Sequence, residues 1–264
     1  MKIQNALHGR SQKGSRRLGM AAACPCLGLL FLVLDPGAAM AECSFDSMAL
    51  LGNGKIYVTK GNEYVRYSSG GATEMDEGYP QRITGGNWGD LPPAFRSGFD
   101  SVALLDNGKV YVTKGDQYIR YADAEATEID EGYPRRITDG AWGDLPYRFR
   151  SGFDSMTLLG NGKVYVTKGD EYIRYSGADA TEIDEGYPQR ITGGNWGDLP
   201  RGFRSGFDAM SLFGNDRVYV TRGDRYIRYA DAEADEVDEG FPKSLTGGNW
   251  GGEEFIAWAC STHD

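Results

Sequence analysis

FDSMALLGNGKIYVTKGNEYVRY, running from Phe45 to Tyr67, is the stretch that decides how this chain folds. It recurs as FDSVALLDNGKVYVTKGDQYIRY from Phe99, as FDSMTLLGNGKVYVTKGDEYIRY from Phe153 and as FDAMSLFGNDRVYVTRGDRYIRY from Phe207, at a spacing of 54 residues with no insertion. The second half of each unit repeats as well: an acidic segment ending in DEG(Y/F)P, then a tryptophan at Trp88, Trp142, Trp196 and Trp250. The units are 45–98, 99–152, 153–206 and 207–260. A unit this short cannot bury its own apolar faces, so the copies must pack on one another.

Each unit reads as an antiparallel meander. Asn53-Gly54, repeated as Asn107-Gly108 and Asn161-Gly162, predicts a type I′ hairpin turn, in which both central residues take positive φ. Asn215-Asp216 suits that turn less well and predicts a looser hairpin in the fourth unit. Ile56 and Val58 fall on one face of the next strand and Tyr57 and Thr59 on the other, as expected of a strand covered on both sides. Gly61-Asn62 turns the chain into a third strand, Tyr64 to Tyr67, and residues 73–76 read as a short fourth strand broken by Gly78-Tyr79-Pro80. Four such meanders closed on themselves make an all-β, four-bladed β-propeller. A solenoid needs atypical polar caps, whereas here the first and last units match the middle ones.

Residues 1–41 stand apart from the repeats. Lys2, Arg10, Lys13, Arg16 and Arg17 precede a mostly apolar run from Leu18 to Leu34, and Ala39-Met40-Ala41 supplies small residues for cleavage. This is the pattern of a cleaved secretory signal, leaving residues 42–264 as the domain and a secreted product. The competing reading, a membrane anchor, is opposed by Pro25 within the run and by Asp35-Pro36 at its end. Cys24 and Cys26 leave with the signal, while Cys43 and Cys260 bracket the repeats. In an oxidising compartment that pair reads as a disulfide joining the first and last blades; the alternative is two unrelated thiols. The formal charge of −10 argues against a nucleic-acid partner held by phosphate contacts.

Asp46, Asp100, Asp154 and Asp208 occupy the same place in each unit, near the start of the innermost strand. Ring closure brings the four around one axis, an oxygen-rich setting that suits a hard cation such as Ca²⁺ or Na⁺. The competing reading is that each aspartate serves only turn or backbone groups. The four in-register tryptophans read as wedges between blades. The Asp-Glu pairs from Asp76-Glu77 to Asp238-Glu239 ring the rim with acid that could draw a polyamine or a cationic peptide. Arg222-Gly223-Asp224 spells an adhesion tripeptide, although Lys-Gly-Asp stands at the same turn in units two and three. The only histidines are His8 and His263, and the chain has no HExxH, nucleophile elbow or phosphate-binding Gly-Lys loop. The residues therefore favour binding over catalysis.

The order FD(S/A), K(V/I)YV, KGD.Y.RY, (Y/F)P and WGDLP, with one cysteine before the first unit and another ending the fourth, resembles the hemopexin repeat across all four units. The resemblance implies a stand-alone hemopexin-like propeller acting as a non-enzymatic binding module. It implies a cation held largely by main-chain carbonyls at the four aspartate positions. A chloride would lie deeper, at the amides of Met48, Val102, Met156 and Met210. It also implies a small ligand, polyamine or heme, or else an extracellular protein partner in an adhesion role. Thr59, Thr113, Thr167 and Thr221 depart from the family, which often has an aromatic there. High-affinity heme capture in hemopexin uses a histidine pair and two propellers, so a bis-histidine heme site is not carried over to this chain.

Overall fold

The computed structural model describes residues 43–68 and 70–262. The expected signal segment, Cys24, Cys26, His8 and His263 lie outside the described residues.

Among the described residues, sixteen strands form four antiparallel sheets, each a meander in chain order. Blade one is β1 (Ser47–Leu50), β2 (Ile56–Lys60), β3 (Glu63–Tyr67) and β4 (Gln81–Arg82). Blade two is β5 (Ser101–Leu104), β6 (Val110–Lys114), β7 (Gln117–Arg120) and β8 (Arg135–Arg136). Blade three is β9 (Ser155–Leu158), β10 (Val164–Lys168), β11 (Glu171–Arg174) and β12 (Gln189–Arg190). Blade four is β13 (Ala209–Leu212), β14 (Val218–Arg222), β15 (Arg225–Arg228) and β16 (Lys243–Ser244). The first strands β1, β5, β9 and β13 pack side by side in cyclic order, with β13 returning to β1. The ring is closed, and these four strands line its axis.

The second strand of each blade is sandwiched between its neighbours. Ile56, Val58 and Val65 are wholly buried, as are their counterparts in every blade, because neighbouring blades cover both sheet faces. Thr59 pairs with Ser47 in register, their hydroxyls 2.6 Å apart, so the threonine that departs from the hemopexin pattern serves the sheet's inner edge.

Sequence expectations are corrected at two places, the first hairpin and the outer strand. The first hairpin is not type I′, since among Asn53 and Gly54 only Gly54 has positive φ, at 74°. The Gly54 N–H donates to Leu51 O and the Leu51 N–H to Lys55 O, which is a type I turn followed by a left-handed residue. Asn53 instead uses its side chain, accepting from the Lys55 N–H and donating to the Tyr57 hydroxyl. The fourth unit is not looser: Asp216 takes the left-handed place at φ 56° and donates to Phe213 O as the glycines do. The second correction concerns the outer strand. Residues 73–76 make only an isolated bridge, Tyr67 to Met75, and the true fourth strand lies beyond Pro80 at Gln81–Arg82.

Each tryptophan is a wedge. Trp88, 1% exposed, meets Tyr57 and Tyr64 of its own blade edge-on at 5.5 and 5.6 Å and Phe99 of the next at 5.1 Å. Its carbonyl accepts from the Tyr121 hydroxyl of blade two. The same bond runs from Tyr175 to Trp142 and from Tyr229 to Trp196, and across the closure from Tyr67 to Trp250 at 2.6 Å. Every blade is latched to its predecessor by one buried phenol.

The last blade departs from the repeat after Trp250. In the first three, Pro92, Pro146 and Pro200 introduce short 3-10 turns. Without that proline, Gly252–Ala259 continues as an α-helix, α1, with Glu253 and Glu254 in its favourable first turn. It buries Phe255 and Trp258 and delivers Cys260 to Cys43, where a disulfide forms across 217 residues of sequence.

A clamp repeats on each blade's outer edge. Arg66 donates to Asp76 and lies 4.9 Å from the Tyr79 ring centre, and the same arrangement holds Arg120, Arg174 and Arg228. Burial alone would push the Asp76 carboxyl up, but Arg66, Ser68 and Lys55 outweigh it and hold the group below its usual range. Asp184 is held low in the same way, by Ser176, Arg174 and Lys163. The first acid of each Asp-Glu rim pair is therefore ion-paired, while the second, Glu77, Glu131, Glu185 and Glu239, stays exposed.

Two outcomes follow from this geometry. Asp216→Gly removes the side chain from a left-handed position and is expected to stabilise the chain by about 0.5–1 kcal/mol, read as a higher denaturant midpoint at unchanged slope. The lowered carboxyls of Asp76 and Asp184 contribute stability that is complete above the unfolded value of about 3.9 and is lost as pH falls through the lower folded values. Thermal melts should decline steeply below about pH 4, and Asp76→Asn with Asp184→Asn should flatten that decline.

Candidate functional site

At the axis all four units present the same residues to a common space. It has a polar mouth, a narrow middle and an apolar mouth.

The polar mouth, about 630 Å³, is lined by Asp46, Asp100, Asp154 and Asp208 together with Lys114, Lys168 and Arg222. The four aspartates predicted to converge do so, but their carboxylates are engaged. Asp46 accepts from the Gly61 N–H at 2.7 Å, Asp100 from Gly115 at 2.7 Å, Asp154 from Gly169 at 2.6 Å and Asp208 from Gly223 at 2.6 Å. Each thus ties the start of an inner strand to the tip of the second hairpin. Lys114 adds a bond to Asp100 at 2.8 Å and Lys168 one to Asp154 at 2.9 Å. Lys60 instead turns to the seam, donating to the carbonyls of Ala259 and Ser261. Although Asp46 is exposed, the protein around it raises its carboxyl above the usual range; Gly61 and Lys114 oppose this and the Asp100 charge adds to it. Among the described residues, no three His, Cys, Asp or Glu side chains come together to hold a metal ion.

The narrow middle is lined by residues of all four inner strands, including Met48, Val102, Met210 and Ser155. Ser155 is 2% exposed, and its Oγ has no hydrogen-bond partner among the described residues. An ion here would be held by main-chain groups and hydroxyls, because the carboxylates point their hydrogen bonds elsewhere. That donor set fits a hard cation at main-chain carbonyls and an anion at main-chain amides and hydroxyls.

The apolar mouth is a bowl of about 480 Å³ walled by Leu50, Leu104, Leu158 and Leu212, the last residues of the four inner strands. Two carboxylate residues stand in its lining, Asp106 and Asp216. Asp106 replaces a glycine of the other three units (Gly52, Gly160, Gly214), and Asp216 replaces Gly54, Gly108 and Gly162. They belong to blades two and four, which face each other across the ring. Sequence reading of the shared pattern passes over Asp106 and takes Asp216 only as a poor turn residue. The signal that finds them is the reverse one, the columns where a single unit breaks the repeat.

The tryptophans, as expected, are packed wedges and do not form an open stacking surface. Among the described residues, no helix is long and apolar enough to cross a membrane.

No family model matches the chain. Vitronectin of Oryctolagus cuniculus is 32% identical over 133 residues, which is 50% of this chain and 26% of that protein. The chain thus spans about a quarter of the length of the curated relatives it matches. Among solved structures, the hemopexin fold protein CP4 from cow pea aligns over 78% of this chain and 95% of its own at a TM-score of 0.65 and 22% identity. A plant lectin with two metal binding sites from Cicer arietinum aligns over the same shares at a TM-score of 0.65 and 19% identity. With four meander blades, a closed axis and a disulfide across the closure, this chain is a hemopexin-like four-bladed propeller.

Proposed function

We propose that the protein is an extracellular binding module whose small ligand sits in the apolar bowl of the axial channel. The observation that carries this reading is the bowl itself: four leucines from four blades, with Asp106 and Asp216 across it. Such a wall desolvates a methylene chain, and carboxylates in a partly apolar setting pair with ammonium groups. Of the two ligand classes that the hemopexin repeat suggests, the bowl favours a polyamine over heme. A heme would bring two carboxylates to Asp106 and Asp216, and none of the bowl's lining residues is histidine, lysine or arginine. The disulfide supports an extracellular setting.

Below the bowl, the proposed ion is structural. Ca²⁺ or Na⁺ would be held by the main-chain carbonyls of Asp46, Asp100, Asp154 and Asp208, with chloride at the amides of Met48, Val102, Met156 and Met210. The convergence of all four inner strands on the narrow section supports this, as does the unpartnered Ser155 hydroxyl there. An ion bound there would neutralise the converging backbone dipoles of the four inner strands.

A protein-docking or adhesion role is the second reading, favoured by the exposed Asp224 at the β14–β15 turn and by the similarity to vitronectin. The Arg222 guanidinium, however, lies against Gly206 at the polar mouth, so the Arg-Gly-Asp tripeptide is not presented as a free loop.

Calorimetric titration with spermidine and Soret titration with hemin separate these readings. The expected result is saturable spermidine binding that weakens at least about tenfold in Asp106→Gly/Asp216→Gly, roughly 1.4 kcal/mol, and no stoichiometric hemin shift. Stoichiometric hemin binding without spermidine binding would overturn the choice of ligand. Partner capture lost in Arg222→Ala would favour the second reading. Excess EDTA should lower the melting temperature if the ion is divalent, since a ligand of the native state stabilises it by mass action.

A further inference from the structure

The second hairpin of each blade ends in the same two-residue turn, and in three blades its charges are spent within the molecule. In blade one, Lys60 stands opposite Glu63 across the strands and donates to the carbonyls of Ala259 and Ser261. In blade two, Lys114 bonds Asp100, and Asp116 pairs with Arg136 of the outer strand. In blade three, Lys168 bonds Asp154 and Arg190 bonds Asp170. Arg148, reaching over from the 3-10 turn that precedes blade three, takes the neighbouring carboxylates of Asp170 and Glu171 at 2.9 and 3.5 Å.

Blade four breaks this pattern at four positions. Arg225 stands where blades one and three carry Glu63 and Glu171, so Arg222 and Arg225 are direct cross-strand partners of like charge. Gly202 stands at the position of Arg148, and Ser244 at the position of Arg82, Arg136 and Arg190. Arg201 opens the 3-10 turn before blade four, where the earlier linkers carry Pro93 and Tyr147. Arg222 leans on that linker, since a Cβ on Gly206 would meet its guanidinium at 2.5 Å. Arg201 and Arg225 are exposed and Arg222 is half-buried. Among the described residues, none of the three has a carboxylate within ion-pair distance or donates a side-chain hydrogen bond. Asp208, which lines the polar mouth with Arg222, spends its carboxylate on the Gly223 N–H. Asp224 has lost the outer-strand arginine that holds Asp116 and Asp170.

Like charges placed opposite one another in a sheet oppose folding, so the Arg222–Arg225 pair has its physical counterpart in an anion from outside the chain. The molecule itself shows which anion fits such a tip. Arg148 clasps two carboxylates that are adjacent in sequence, and a guanidinium fork matches the two oxygens of a carboxylate. The formal charge of −10 repels a long polyanion, whereas a short acidic stretch meets only the local positive corner. We infer that the corner formed by the Arg201–Phe203 turn and the Arg222–Arg225 hairpin tip docks an acidic peptide segment of a partner protein, its neighbouring carboxylates held by Arg201, Arg222 and Arg225. The corner lies at the polar end of the axis and does not depend on what the apolar bowl binds. It uses Arg222 where it rests, against the linker, and needs no free Arg-Gly-Asp loop.

A fluorescein-labelled, end-blocked peptide, Gly-Asp-Glu-Asp-Glu-Gly, titrated into the full chain and followed by anisotropy tests the inference. Its Asn/Gln counterpart and dextran sulfate are the comparison ligands. The expected result is saturable binding of the acidic peptide, at least about tenfold tighter than its amide counterpart and weakened by raising salt from about 50 to about 500 mM. Arg225→Glu and Arg201→Pro, each alone, are expected to weaken it at least about tenfold. Arg225→Glu supplies the acid that blades one and three fold with, so its denaturant midpoint is expected to equal or exceed that of the parent chain. Absence of saturable peptide binding, unchanged binding by Arg225→Glu, or tighter binding of dextran sulfate than of the peptide would each overturn the inference. A lowered midpoint in Arg225→Glu would overturn it as well, by giving Arg225 a role in the fold.

Discussion

A four-bladed ring has one junction that chain continuity does not hold, the one between its last blade and its first. Here that junction is made by the Cys43–Cys260 disulfide, the Ser44 N–H on Ala259 O at 3.1 Å, and Lys60 on the last carbonyls. The Tyr67–Trp250 latch and the Phe45 ring against Trp250 and Phe255 add the same packing that chain-linked blades use. If this junction opens, each end of the array exposes an apolar sheet face, and the axial channel loses one wall. Both mouths of the axial channel presuppose that it stays shut.

The repeat and the function pull in opposite directions. Identical units are what make the ring close, because every blade offers the same wedge and latch to its neighbour. A ligand site needs inequality. At the apolar mouth, single units break ranks: Asp106 and Asp216 stand where the other units carry glycine. Asp216 shows the cost directly, since it occupies a left-handed position that glycine fills in three other blades.

Most of the architecture was legible because the physical signals repeat four times. Period, strand alternation, tryptophan wedges and the bracketing cysteines each point to the same closed ring. What failed did so for local reasons. Asn-Gly was read as type I′ by its commonest use, while the Asn53 side chain instead caps the Lys55 N–H and lets the backbone keep a type I turn. Residues 73–76 carry strand-like pattern but only bridge Tyr67, because the outer edge of the blade is completed by the segment beyond Pro80. The helix at Gly252–Ala259 was hidden by treating the fourth unit as a copy, although the missing proline after Trp250 marks it. At the site, the four aspartates were found by symmetry, but their hydrogen bonds to hairpin amides depend on how the second turn folds back, which spacing does not report.

The claim that closure at one seam holds the molecule together is tested most directly by denaturant unfolding of Cys43→Ser/Cys260→Ser beside the parent chain. The account predicts a midpoint lowered by the equivalent of about 2–5 kcal/mol, as expected when a cross-link over so long a loop is removed. An unchanged midpoint would contradict it, and would mean that the blades hold the ring shut without their covalent clasp.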